Sequence, residues 1–163
     1  MEKKKQYLPT LLERLLDDEP KSVRERFDQS HLDSRAMRAI VQKDIVNLLN
    51  HTNVEDRLVE EKHQLIAESV INYGISALIG TFENHRNWNV IEKVVRNAIL
   101  RFEPRIIPES LLVRSLQEKE HLARNALILF EIRGFIYWEP YPIDLCMHGR
   151  YDTESGSMDL KLL

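Results

Sequence analysis

The chain has 163 residues, of which 43% are apolar and 30% charged, the size and balance of one soluble globular domain able to bury a real core. A formal net charge of −3 argues against a protein drawn mainly to nucleic-acid phosphates, and apolar runs such as NALILFEI are broken by charge well short of the ~20 residues a membrane helix needs. The single cysteine, Cys146, excludes an intrachain disulfide and cannot build a thiolate zinc site alone. MEKKKQY leads into amphipathic sequence rather than a short apolar leader, so the expected compartment is the cytosol.

The first segment, LPTLLERLLDDEP, places Leu8, Leu11, Leu12, Leu15 and Leu16 at helical spacing. Thr10 followed by Glu13 is a capping-box pattern, and Pro20 ends the run. Polar residues then continue to position 30, so 1–30 reads as an amphipathic helix with a linker, and 31–163 as the main domain. The leucine stripe must cover either its own domain or another chain. A second helix is predicted from Asp33 or Ser34 to about Asn50, with Met37, Ile40, Val41, Ile45, Leu48 and Leu49 on its apolar face and NHTN closing it. EDRLVEEKHQ is a loop or an exposed helix. In SVINYGISALIG, Gly74 and Gly80 interrupt apolar sequence and call for a turn or a close backbone approach.

The strongest helical pattern is NVIEKVVRNAILRFE, with Ile91, Val94, Val95, Ala98, Ile99 and Phe102 in one stripe and Asn89 with Glu92 as a cap signature. Pro104 disfavours helical geometry at Glu103, and Arg105 falls just beyond the negative end of the helix dipole. From there the period changes to two. RIIPESLLVRSL reads as a strand with a proline irregularity, and ARNALILFEIRGFIYW as a long strand with Leu127, Leu129, Glu131 and Arg133 on one face. IDLCMHGRYD, the turn TESGS and MDLKLL make a closing hairpin. The fold class is therefore α+β: N-terminal helices, then a helix packed on a small antiparallel sheet of three to four strands with a C-terminal hairpin.

No catalytic constellation emerges. The six histidines contain no pair at helical ligand spacing, no glycine-rich phosphate loop occurs, and Cys146 with His148 gives at most two metal ligands on one strand face. No metal and no cofactor are expected, and the KKK run at residues 3–5 reads as a solvated terminus. Glu103 invites comparison with a glycosidase acid, but a neighbouring cation such as Arg105 favours a charged carboxylate, the reverse of what an acid catalyst needs. Glu103 and Arg105 are otherwise a solvated helix terminus or a fixed charged clasp for another protein. A small sheet also has edges, and the last strand, with Leu160, Lys161 and Leu162, offers backbone groups for strand addition; in the alternative, the N-terminal helices cover one face and Lys161 guards the edge.

The ordered segments PTLLERLLDDEP, DSRAMRAIVQKDIVNLLNHTN, SVINYGI, VRNAILRFEPRI and LFEIRGFIY with the closing hairpin resemble the TssE family. These are type VI secretion baseplate subunits, related to a lysozyme-like wedge subunit of contractile phage baseplates. Ser76 and Ala77 stand where the family commonly has proline and aspartate. The resemblance implies an assembly role in the cytoplasmic baseplate of a bacterium, docked at the inner membrane complex. Implied partners are TssF, TssG and TssK, the sheath proteins TssB and TssC, and the spike and tube proteins, with no nucleic acid and no membrane insertion. Carried onto this chain, the family's Glu-Pro-Arg motif is Glu103, Pro104 and Arg105, a contact element for neighbouring wedge subunits, and the hairpin would nucleate sheath by strand pairing. A peptidoglycan-cleaving activity through Glu103 is the alternative.

Overall fold

Apolar residues recurring at helical spacing form α1, Ser34–Leu49, whose buried side chains are Met37, Val41, Ile45, Leu48 and Leu49. Asp33 starts it as an N-cap, its carboxylate accepting from the Ala36 N–H at 2.6 Å. The computed structural model describes residues 7, 10, 11, 15, 20, 21, 32–76, 88–117 and 127–162. The charged stretch after α1 becomes a 3₁₀ turn, Glu55–Arg57, and a short exposed helix, α2, Glu60–Ala67. No helix among the described residues is long and apolar enough to cross a membrane.

Gly74 makes the close approach anticipated for its segment. Its φ is +118°, and a Cβ there would lie 2.3 Å from the His51 carbonyl oxygen. That contact lets Ile75 pair with the end of α1: Ile75 donates to His51 and Asn53 donates to Ile75, both at 2.9 Å. Gly80 and Ala77 lie outside the described residues.

Helix α3, Trp88–Phe102, buries Ile91, Val95, Ala98 and Ile99. It ends one residue before Glu103, where Pro104 disfavours a further helical residue. Asn89 lies in the first turn, because the helix already includes Trp88, so it is not the cap that the Asn89–Glu92 spacing suggested.

Four antiparallel strands follow in meander order: β1 Leu112–Ser115, β2 Leu127–Ile136, β3 Ile143–Asp152 and β4 Met158–Leu162. The proline irregularity before β1 is a bridge from Ile106 to Ile136 followed by a 3₁₀ turn at Pro108–Ser110. Alternate residues of the strands turn toward α1 and α3, including Ile128, Phe130, Ile132, Leu145, Met147 and Tyr151, all fully buried. Phe130 lies over its cross-strand partner Gly149, where a Cβ would come within 2.2 Å of the ring. The result is a two-layer α+β fold with one core between helices and sheet.

The N-terminal segment touches this domain at one described point. Tyr7 stacks on Trp138 with ring centroids 4.0 Å apart, and its carbonyl accepts from the Leu32 N–H at 2.9 Å. Of the leucine stripe, Leu11 and Leu15 are helical and 71% and 73% exposed, while Leu8, Leu12 and Leu16 lie outside the described residues.

Candidate functional site: an ion-paired corner and a sheet edge

Pro104 turns the chain out of α3 toward the sheet, and the turn folds Arg105 back onto Glu103. Arg105 Nε donates to Glu103 Oε1 at 2.6 Å and Nη2 to Oε2 at 2.5 Å, a bidentate fork, while the Arg105 backbone N–H reaches Oε1 at 3.2 Å. Nη2 also donates to Asp44 Oδ2, which projects from α1, 61 residues away in sequence. The Tyr73 hydroxyl donates to the Asp44 carbonyl at 3.5 Å, and its ring meets Phe102 edge-on at 5.3 Å. The Arg105 carbonyl accepts from the Tyr137 N–H at 2.8 Å, so the same residue is tied to the end of β2. The end of α3, the side of α1 that carries Asp44, Tyr73 before the Gly74 turn and the end of β2 thus meet at one ionic corner.

Burial divides the corner. Glu103 is 3% exposed, whereas the side chains of Arg105 and Asp44 are 24% and 33% exposed. A solvated helix terminus, one of the readings left open, is thereby corrected: Glu103 is an internal group whose two oxygens are both engaged by Arg105. Burial works to lower the Arg105 pKa, but hydrogen bonds and charge from Glu103 and Asp44 outweigh it and hold the guanidinium protonated, above its usual range. Burial, with the negative charges of Asp44 and Glu103, raises the Tyr73 hydroxyl. Arg105 Nη1 is shielded from solvent and has no hydrogen-bond partner. Pro104 itself is exposed.

The last strand is less open than its place at the sheet edge suggests. Asp152 donates to Ser157 at 3.0 Å, so the odd-numbered residues of β4 bond to β3, and Met158 and Leu160 turn their backbone groups outward. There α1 supplies substitutes for a neighbouring strand. Asn50 Nδ2 donates to the Met158 carbonyl at 2.8 Å and Asn50 Oδ1 accepts from the Met158 N–H at 2.9 Å. Gln42 Nε2 reaches the Leu160 carbonyl at 3.4 Å. The side chain of Leu160 is in the core, Lys161 is exposed on the sheet's outer face, and Leu162 pairs with Met147 in register. The Leu162 side chain lies outside the described residues.

Cys146 and His148 do share a strand face, and both approach Glu131 rather than a common metal position, each at 3.6 Å. Among the described residues no group of three or more His, Cys, Asp or Glu is placed to hold a metal ion.

Sequence reasoning found Glu103, Pro104 and Arg105 but missed Asp44, Tyr73, Asn50 and Gln42. Asp44 and Gln42 read as ordinary polar positions of an amphipathic helix, and Asn50 as its terminus. Only Tyr73 had a local signal, the glycine after it.

The chain matches the sequence model of a family described as baseplate wedge protein gp25 over residues 35–141, a span that includes Asp44, Tyr73 and Glu103–Arg105 and stops before β3. No curated protein and no solved structure gives a significant match.

Proposed function

The chain belongs to the baseplate wedge protein gp25 family, and on that premise we propose that it is a non-enzymatic subunit of a bacterial type VI secretion baseplate. In this reading it works in the cytoplasm, binds TssF, TssG and TssK, and offers β4 to the first sheath subunits, TssB and TssC. A structural role in a phage-tail-like baseplate follows from the family itself.

The observation that carries the reading is the corner of Glu103, Arg105 and Asp44. Its charges are fixed by a bidentate fork and by Pro104, so little side-chain entropy remains to be lost on docking. A partner meets Arg105 and Asp44, and Glu103 stands behind them as the anchor. Catalysis by Glu103 has no support in this geometry, since neither carboxylate oxygen is free to deliver a proton to a sugar. At the other site, an incoming strand has to displace the amides of Asn50 and Gln42 before it can pair with Met158 and Leu160.

Charge reversal at Arg105 would gather three carboxylates and perturb folding along with assembly. Arg105→Lys is the cleaner test, because it keeps the charge and loses the planar fork. Expected is an unchanged circular dichroism spectrum with co-purification of TssF and TssG reduced about tenfold. Normal wedge assembly by the folded variant would overturn the assignment of this corner.

A further inference from the structure

The sheet face turned away from α1 and α3 carries a second arrangement that neither the corner nor the β4 edge accounts for. Arg114, Glu131, His148 and Lys161 are cross-strand neighbours in one row that spans all four strands. Glu131 is only 1% exposed, although it points to the outer side. What hides it is its own neighbours: Arg114 Nε donates to it at 2.6 Å and Arg133 Nη2 at 2.8 Å. Both arginine side chains remain about half exposed, at 52% and 53%. One buried carboxylate therefore fixes two guanidiniums on half-exposed side chains, one of which, Arg133, also hydrogen-bonds Cys146.

The charges on this face do not cancel at its centre. Two arginines share one carboxylate, and the row continues into His148 and Lys161. The acids lie around it and are occupied or distant: Asp159 sits 3.7 Å from Arg150, Asp152 accepts from the backbone of its own turn, and Asp144 is opposite Phe135 toward the sheet's end. Framing the positive centre are Leu112, Leu127, Leu129 and Phe135, each between 41% and 48% exposed. Arginine donors set among aliphatic and aromatic side chains are the composition of an interface core rather than of a solvated sheet face.

We propose that this outer face is a docking surface for a protein segment that presents a carboxylate among apolar side chains, carried by another baseplate component. The carboxylate enters between the half-exposed Arg114 and Arg133 and is paired by their charge, while apolar side chains cover Leu129 and Phe135. A nucleic acid would satisfy the arginines and leave the four apolar residues uncovered. The assignment of the partner rests on the baseplate reading; the surface is distinct from the Glu103–Arg105 corner.

The test uses the full chain with co-expressed TssF, TssG and TssK. Cys146, the only cysteine in the sequence, lies partly buried on this face and pairs across strands with Arg133, so its alkylation reports coverage. Expected is an alkylation rate about tenfold slower in the assembled wedge than in the free chain, and a dissociation constant about tenfold higher for L129E/F135E, whose fold is checked by its melting temperature. Equal alkylation rates, or unchanged affinity of the folded double variant while wild type assembles, overturn this proposal and leave the baseplate reading intact. Failure of the wild-type chain to bind any component overturns both. A free chain that forms a dimer which L129E/F135E dissociates would identify a second copy as the occupant and overturn the partner named here.

Discussion

Replacing Arg105 by methionine removes both arms of the fork on Glu103 and the contact to Asp44 while keeping an unbranched side chain. Glu103, at 3% exposure, has almost no access to water that could replace the lost donors. Breaking one partner of a buried ion pair costs about 3–5 kcal/mol, and because Arg105 and Asp44 are themselves partly solvated, the lower end of that range, about 3 kcal/mol, is expected here. Glu103→Met leaves Arg105 its contact with Asp44 but frees donors at a position only partly open to water, a loss of about 1–3 kcal/mol. If the pair acts as a unit, the double variant E103M/R105M should lose less than the sum of the single losses, by about 1–3 kcal/mol. Urea unfolding of the four proteins, followed by circular dichroism, measures each term. Losses that add to within about 0.5 kcal/mol would refute the idea that Glu103 is buried as the anchor of Arg105.

Asn50→Ala should destabilise the fold by about 1–2 kcal/mol, since the Met158 N–H and C=O both lose their partner, and should speed hydrogen exchange at the Met158 amide; unchanged exchange would show that Asn50 does not guard β4. Burial opposes ionisation of Glu131, yet Arg133 and Arg114 hold its pKa down to about 2, below its ordinary value of 4.5. The folded value is the lower one, so its stabilising contribution is complete above pH 4.5 and disappears as pH falls toward 2. The stability difference between wild type and Glu131→Gln should accordingly be largest near neutrality and shrink through that acid window, and a difference independent of pH would contradict the ion pairing.

The sequence alone determined those parts of the molecule that depend on neighbours a few residues apart. Leucine, valine and isoleucine at helical spacing placed α1 and α3, Asp33 marked the start of α1, Pro104 stopped α3, and strict alternation located β2, β3 and β4. Each is a short-range effect of backbone geometry, hydrogen bonding or side-chain period, so it is written locally. The Glu-Pro-Arg stretch was also visible, but the burial of Glu103 was not, nor were the ties of Arg105 to Asp44 on α1, 61 residues away, and to the end of β2. Alternation put Glu131 on one face of β2 with Arg133, but its burial depends also on the register of β1 and β2, which sets Arg114 directly across from it. In the same way the β4 edge, either open or guarded by Lys161 from sequence, is met by Asn50 and Gln42 from 108 and 118 residues away. Periodicity tells which way a side chain points; which distant group it meets is decided by how helices and strands close on one another in space.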